Sequence, residues 1–212
     1  MIRAIIFDFD GTLTELTLNF LDMKAQVFDI ARKYAKEEVI AEVEALYVLE
    51  TVYELEKHIG DNKEIFVEEA LEKVKVLELE ASEGKGVFPY TRALLRDVRD
   101  KGIKIGVITR SCTDVLKSVF PDIENYVDGI VTREHTRQVK PDPEQVKIIL
   151  RRLNVPAHEA LFVGDHPTDV IAGKAAGTYT AGVLSGRTTK DAFEKVSPDY
   201  IFNDIRNVRE LR

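Results

Sequence analysis

Short runs of apolar residues recur along the chain and predict the strands of a β-sheet. The runs are nearly continuous rather than alternating, which is typical of parallel strands that are buried on both faces. A weaker run, VDGIVT (127–132), and an edge run, YIF (200–202), extend the predicted sheet. The four clearest runs are RAIIFDF (3–9), IKIGVIT (103–109), ALFVGD (160–165) and TYTAGVL (178–184).

Helical patterns lie between these runs from Pro89 onward. The segment PYTRALLRDVRDKG (89–102) has apolar residues at helical spacing and a stop signal at Gly102. The segment PDPEQVKIILRRLN (141–154) repeats this scheme, and Asn154 favours a left-handed helix end. This alternation of strands and helices predicts an α/β fold with a doubly wound parallel (Rossmann-like) sheet.

Residues 14–86 interrupt the alternation and predict an α-helical insert between the first and second strands. Two polar segments, HIGDN (58–62) and SEGKG (82–86), indicate a turn between helices and a flexible return to the sheet. Apolar residues follow helical spacing in three stretches, which are 23–34, 40–55 and 67–77.

The charge distribution separates the same two parts. The chain has 212 residues and a formal net charge of −7. Residues 15–86 contain 18 acidic and 9 basic residues, a net charge of −9, so the remainder of the chain carries +2. We therefore predict an α/β domain of residues 1–13 and 87–212 and an acidic helical domain of residues 14–86.

The overall composition restricts the class of protein. With 44% hydrophobic and 32% charged residues, the chain should fold and remain soluble. Its negative charge argues against a protein that binds nucleic acid without sequence preference, although it is compatible with a small anionic ligand. The single cysteine, Cys112, excludes an intramolecular disulfide and a cysteine-based zinc cluster.

The sequence predicts a cytoplasmic protein without a membrane partner. The first residues, MIRAIIFDFD, are too short and too acidic a stretch for a signal peptide. No apolar run approaches the roughly 18 residues that span a membrane.

Polar residues follow several of the predicted strands, at the point where each strand ends. Because ligands of open α/β sheets bind at the carboxyl ends of the strands, these residues are expected to converge. Lys140 precedes a predicted helix in the segment VKPDP. The other candidates are Asp8, Asp10, Gly11 and Thr12 after the first strand, Thr109 and Arg110 after the second, and Asp165, His166 and Asp169 after the fourth.

The candidate residues suit phosphoryl transfer. Residues i and i+2 of a strand point to the same side, so Asp8 and Asp10 would repel each other unless a cation is present. Oxygen ligands suit Mg²⁺, and Thr109, Lys140 and the N–H groups after Gly11 can hold phosphate oxygens. A carboxylate is competent as the nucleophile, and the second acid can protonate the leaving oxygen and later deprotonate water.

In their order and spacing, DFDGT (8–12), Thr109, KPDP (140–143) and GDHPTD (164–169) resemble the motifs of the haloacid dehalogenase superfamily. The resemblance implies that the insert is the helical cap found in this family after its first motif. It also implies the role of each residue. Asp8 would be the nucleophile and a metal ligand, Asp10 the general acid/base and a metal ligand through its carbonyl, Thr109 and Lys140 phosphoryl ligands, Asp165 a Mg²⁺ ligand and Asp169 a support for the metal site.

The resemblance favours a phosphatase of the phosphoglycolate phosphatase type. A chloride leaving group needs no proton, so the presence of Asp10 favours phosphoryl chemistry over dehalogenation. The sequence also departs from the family pattern at Arg110, where Asn is common, and at His166, where Ser or Thr is common. His166 is therefore a candidate substrate contact. Arg110 is a candidate phosphate ligand together with Gly11 and Thr12, and Arg187 is a further candidate substrate contact, because an arginine can bind an acidic part of the substrate.

Several alternatives remain open from the sequence. The expected substrate is a small phosphorylated metabolite, and the expected intermediate is an aspartyl-phosphate. A sugar phosphomutase and a non-catalytic phosphate-binding protein on the same fold are the alternative functions. The protein could be a monomer or a homodimer.

Overall fold

The computed structural model describes residues 1–210 and contains one six-stranded sheet. Every strand that is hydrogen-bonded to a neighbour runs parallel to it, and the strand order is β3-β2-β1-β4-β5-β6. All six apolar runs form strands, including the two weaker ones. The strands are β1 (Ala4–Asp8), β2 (Lys104–Ile108), β3 (Gly129–Val131), β4 (Ala160–Gly164), β5 (Tyr179–Val183) and β6 (Tyr200–Phe202).

Nine α-helices lie within residues 1–210. Short 3₁₀ helices occupy Ile123–Asn125, Arg133–His135, Ala157–Glu159 and Ile205–Glu210. The α-helices are α1 (Phe20–Ala31), α2 (Glu37–Glu42), α3 (Val48–Glu56), α4 (Lys63–Ser82), α5 (Thr91–Asp100), α6 (Thr113–Val119), α7 (Glu144–Leu153), α8 (Pro167–Ala176) and α9 (Lys190–Glu194). None of the described helices is long and apolar enough to cross a membrane.

The sheet is covered on both faces, which confirms the predicted doubly wound α/β fold. Side chains of a strand alternate between the two faces. Ile5 and Phe7 of β1 belong to an apolar cluster that also contains Leu94 of α5 and Leu116 of α6. On the opposite face, Ile6 belongs to a second apolar cluster, which also contains Ile149 of α7 and Ala172 of α8.

The central strand β1 marks the point where the strand order reverses. Ile5 lies opposite Ile105 of β2 on one side and Leu161 of β4 on the other. The chain therefore builds the sheet outward in one direction through β2 and β3, and in the other through β4, β5 and β6. In open α/β sheets a crevice forms at the carboxyl ends of the strands at such a switch point.

The predicted helix ends are left-handed where the sequence indicated them. Asn154 follows α7 with a φ of 51°, and Gly102 follows α5 with a φ of 75°. The N–H of Asn154 donates to carbonyl oxygens of the last turn of α7, as in a left-handed helix cap.

The chain divides into two compact units. One contains Met1–Leu16 and the chain from Gly84 onward, and the other is Thr17–Glu83. Within the first unit, the segments that lead into and out of the helical unit run side by side. Thr14 forms an antiparallel bridge with Val87, and its hydroxyl donates to the carbonyl oxygen of Gly86 at 2.7 Å.

The helical unit consists of α1 to α4 and buries apolar residues such as Val27, Val52 and Phe66. The sequence predicted one helical stretch over residues 40–55. This prediction was wrong, because these residues form the end of α2, a turn and most of α3. The N–H groups of residues 43 and 44 bond three residues back, which closes the end of α2. Tyr47 then adopts an extended backbone before α3 begins.

Candidate active site

The candidate site lies at the carboxyl end of β1, at the switch point of the sheet. Asp8 is the last residue of β1, and Asp165 follows β4, the neighbouring strand. Asp169 lies in the first turn of α8, and Lys140 precedes α7. All four charged side chains are buried.

Lys140 connects two of the three carboxylates. Its ammonium nitrogen donates to Oδ1 of Asp8 and lies 2.7 Å from Oδ1 of Asp169. The side chains of Lys140 and Asp169 are 4% and 2% exposed. A buried lysine requires such partners, because an unpaired ammonium is strongly disfavoured away from water.

Asp8, Asp165 and Asp169 form a group that fits a divalent cation. One carboxylate oxygen from each residue lies within 4.8 Å of the others. An all-oxygen set of this kind suits a hard cation such as Mg²⁺. The three residues could therefore hold a metal ion, which would offset the repulsion between their charges.

The crowding of charges shifts the pKa values of the group. Burial raises the pKa of Asp8 to about 7, with Asp169 and Asp10 adding to the increase and Lys140 opposing it. Burial likewise raises the pKa of Asp165 to about 9, again with help from neighbouring carboxylates. Burial disfavours the charged form of Lys140, but Asp169 and Asp8 outweigh it and hold its pKa above the ordinary value. A bound cation would favour the ionised carboxylates.

Asp10 lies beside this group but makes different contacts. Its Oδ2 accepts hydrogen bonds from the hydroxyl groups of Thr109 at 3.3 Å and Ser111 at 3.1 Å. Its side chain is not part of the three-carboxylate group. Asp8 and Asp10 are only two positions apart in the sequence but contact different partners. Asp8 contacts a lysine, and Asp10 contacts two hydroxyl groups.

The turn after β1 requires glycine at position 11. Gly11 has a φ of 86°, and a Cβ atom there would lie 2.2 Å from Oδ2 of Asp165. Its carbonyl oxygen accepts a hydrogen bond from the hydroxyl of Ser185 at 2.8 Å. The buried hydroxyl of Thr12 has no hydrogen-bond partner among the described residues.

The remaining predicted residues contact the backbone near the site or, in the case of His166, one of the three carboxylates. Arg110 donates from Nη1 to the carbonyl oxygen of Lys140 at 2.6 Å. The ring of His166 accepts from the N–H of Thr168, and its backbone N–H donates to Asp169, which forms a capping box at the start of α8. Arg187 is exposed and donates to the carbonyl oxygen of Leu16 at 3.4 Å.

Ser111 stands among the polar residues at the end of the second predicted strand but was given no role there, and Gln145 and Gly186 were not predicted. Ser111 donates to Asp10, and a Cβ on Gly186 would lie 1.9 Å from Oδ2 of Asp165. Gln145 is completely buried and donates to the carbonyl oxygen of Thr109 at 2.8 Å. The only sequence signals for Gln145 and Gly186 are a polar residue in the first turn of α7 and a Ser-Gly pair after β5. Neither signal is specific for an active site.

Comparison with known proteins identifies the family of this architecture. A family model described as haloacid dehalogenase-like hydrolase matches residues 5–183. A pyrophosphatase PpaX of Bacillus velezensis is 30% identical over 99% of this chain and 96% of its own length. A phosphoglycolate phosphatase of Shigella dysenteriae is 26% identical over 98% of this chain and 91% of its own length.

Solved structures support the same fold. The crystal structure of a β-phosphoglucomutase from Clostridium difficile has a TM-score of 0.68 and 20% sequence identity. The alignment covers 99% of this chain and 96% of that chain. At this identity the likeness concerns the fold alone.

Proposed function

The chain belongs to the haloacid dehalogenase-like hydrolase family, and from this membership and the site geometry we propose that it is a Mg²⁺-dependent phosphatase of a small phosphate monoester. The observation that carries the proposal is the buried group of Asp8, Asp165 and Asp169, in which Lys140 pairs with Asp8 and with Asp169. Such a group provides a nucleophile, ligands for a cation and a fixed positive charge at one place.

Asp8 is proposed to attack the phosphorus atom of the substrate. The new bond joins a carboxylate oxygen of Asp8 to phosphorus, and the bond between phosphorus and the ester oxygen breaks. Asp10 protonates the leaving oxygen and then takes a proton from water, which attacks the aspartyl-phosphate and releases inorganic phosphate. The different partners of the two aspartates support this division of roles.

The other predicted residues are proposed to bind the phosphate group or the metal ion. Asp8, Asp165 and Asp169 would hold Mg²⁺, which would neutralise negative charge on the phosphate, and the carbonyl of Asp10 would complete the protein ligands. Thr109 and Lys140 would hold phosphate oxygens, together with the backbone after Gly11 and the hydroxyl of Thr12. Residues 14–86 are proposed to be the cap that sets substrate specificity.

The proposal is tested by the substitution Asp8→Asn. The amide is close in shape to the carboxylate but cannot act as the nucleophile, so phosphate release should fall by about 1000-fold or more while the protein remains folded. Steady-state phosphate release in the presence of Mg²⁺ measures the effect, and EDTA should abolish the activity of the unmodified protein until Mg²⁺ is added back. Asp100→Asn is the matched control, because Asp100 is an exposed residue at the end of α5, outside the proposed cap. Near-normal turnover by Asp8→Asn, or turnover that EDTA does not affect, would refute the mechanism.

A second candidate substrate is inorganic pyrophosphate. The relative from Bacillus velezensis, which aligns over nearly the whole chain, carries the name pyrophosphatase. Pyrophosphate and phosphoglycolate would use the same nucleophile and differ only in the leaving group. Phosphate release from both compounds, measured as kcat/KM under one set of conditions, separates the two candidates.

The sugar phosphomutase and the non-catalytic binding protein predict other outcomes. A mutase would isomerise a hexose phosphate with little phosphate release. A binding protein would bind inorganic phosphate but release none from any member of a panel of metabolite phosphates.

A further inference from the structure

The backbone of Lys140 is held on both sides by side chains. Its N–H lies 3.4 Å from Oε1 of Gln145, the acceptor of a long hydrogen bond. Its carbonyl oxygen accepts from Nη1 of Arg110 at 2.6 Å. Lys140 is therefore fixed at its backbone as well as at its ammonium group.

The amide of Gln145 also joins Lys140 to the end of β2. While Oε1 faces the N–H of Lys140, Nε2 donates to the carbonyl oxygen of Thr109 at 2.8 Å. Gln145 is completely buried in the first turn of α7. A buried amide with both ends engaged favours a single arrangement of the two backbone segments that it connects.

Arg110 is itself held in place from a third segment. Its carbonyl oxygen accepts from Nη1 of Arg133 at 3.3 Å. Arg133 is buried and follows β3, and its own N–H donates to the carbonyl oxygen of Ser111. The segment that follows β2 is therefore connected to Lys140 on one side and to the end of β3 on the other.

The fixed backbone matters because the side chain of lysine is flexible. An ammonium at the end of four methylene groups loses considerable rotamer freedom when it is placed at one point. Small displacements of a group that contacts the reacting atoms can reduce a rate by roughly 100-fold. A rigid backbone at Lys140 reduces the number of positions that its ammonium can reach.

We propose that Gln145 and Arg110 are positioning residues that clamp the backbone of Lys140 and set the place of its ammonium between Asp8 and Asp169. Arg110 then acts through Lys140 rather than by binding the substrate. The kinetic consequence rests on the proposed phosphatase function, whereas the clamp itself does not.

Lysine labelling tests the clamp without any assay of activity. Folded protein is treated with an amine-acetylating reagent, and the rate at which Lys140 is modified is measured by peptide mass spectrometry. Lys140 is only 3% exposed and should react slowly in the unmodified protein. In Gln145→Met and in Arg110→Met the rate should rise roughly 5- to 10-fold, as expected when one hydrogen bond that opposes local opening is lost.

Two substitutions in the neighbouring segment serve as matched controls. Gln138→Met and Arg137→Met make the same chemical changes at exposed positions close to Lys140 in the sequence. Neither should alter the labelling of Lys140 or the activity. Arg110 is only half-buried, so Arg110→Met keeps the test decisive if Gln145→Met fails to fold.

Steady-state kinetics separate positioning from substrate binding. If Arg110 and Gln145 position Lys140, each Met variant should lower kcat roughly 10- to 100-fold, and Arg110→Lys should restore part of the loss. Unchanged labelling of Lys140 in both Met variants would overturn the proposal. An Arg110→Met variant with a raised KM, an unchanged kcat and unchanged labelling would instead make Arg110 a substrate contact. If the unmodified protein releases no phosphate from any compound, the proposed function fails, and the labelling rates alone decide the clamp.

Discussion

One ion pair from each unit of the molecule, Lys33–Glu69 and Lys140–Asp169, shows how burial changes the role of a pair of charges. In the helical unit Lys33 lies 2.9 Å from Glu69, with side chains that are 59% and 40% exposed. In the α/β unit Lys140 lies 2.7 Å from Asp169, with side chains that are 4% and 2% exposed. The two N···O distances are similar, so the two ion pairs differ mainly in how far their side chains are buried.

The comparison shows why similar contacts serve different purposes. Water screens an exposed pair, and the two long side chains lose freedom when they meet, so such pairs contribute little to stability. A buried group of charges is costly to assemble, and each charge depends on its partners. Lys33 and Glu69 therefore belong to a solvated surface of the helical unit, whereas Lys140 and Asp169 belong to a buried group of charges where chemistry is proposed.

The largest effect is expected from Lys140→Met. The substitution keeps most of the volume of the side chain but leaves Asp8 and Asp169 without their cation. With the metal chelated, the free energy of unfolding should fall by about 3–5 kcal/mol, the usual cost of removing one partner of a buried ion pair. Denaturant unfolding at neutral pH measures the loss, and added Mg²⁺ should restore part of it.

The matched control for Lys140→Met is Lys33→Met in the helical unit. Its denaturation midpoint should equal that of the unmodified protein within experimental error, because the pair it removes is exposed. If the two substitutions had equal effects, the contrast in burial would not explain the difference between the units.

A smaller effect is expected from Gly186→Ala. The new Cβ would lie 1.9 Å from Oδ2 of Asp165, so either the loop after β5 or the carboxylate must move. Overpacking of this kind costs about 1–3 kcal/mol of stability. The displacement of Asp165 should also lower kcat roughly 10- to 100-fold and weaken the activation by Mg²⁺.

Gly60→Ala provides the corresponding control in the helical unit. A Cβ on Gly60 has no atom within 4 Å. This variant should keep the thermal midpoint of the unmodified protein. Equal losses in both variants would mean that crowding against Asp165 is not the cause.

The last expected effect concerns pH and the stability of the metal-free protein. The pKa values of Asp8 and Asp165 are raised from 3.8 to about 7 and about 9. From about pH 4 to about pH 9 the folded protein therefore binds more protons than the unfolded chain. The free energy of unfolding should fall as pH rises through this range. Chemical denaturation at about pH 5 and about pH 8 in EDTA measures the slope.

Two further measurements locate the source of the pH dependence. Mg²⁺ should flatten the slope, because a cation favours the ionised carboxylates in the folded state. Asp8→Asn should reduce it, because one of the two titrating groups is removed. A metal-free protein that becomes more stable from about pH 5 to about pH 8 would contradict the raised pKa values.

Much of the fold was readable from the sequence because it depends on local patterns. The buried parallel strands appear as continuous apolar runs, and each run forms a strand within one or two residues of its predicted bounds. Asn154 marked the end of α7 because few residues other than glycine tolerate a left-handed backbone. The prediction of one helix over residues 40–55 was wrong because apolar spacing continues across the turn at residues 43–47, where the backbone hydrogen bonds change.

The sequence by itself determined which acids stand near the strand ends. Asp8 and Asp10 lie at the end of the first apolar run, and Asp165 and Asp169 lie at or shortly after the end of the fourth predicted run. Tertiary structure alone decided which partner each acid meets. Lys140 reaches Asp8 from 132 positions away in the chain, and Gln145 reaches Thr109 from 36 positions away. These contacts depend on the strand order and on how closely the loops approach, as at Gly186. No local pattern encodes such distances, because they arise only when the sheet has assembled and buried the charges together.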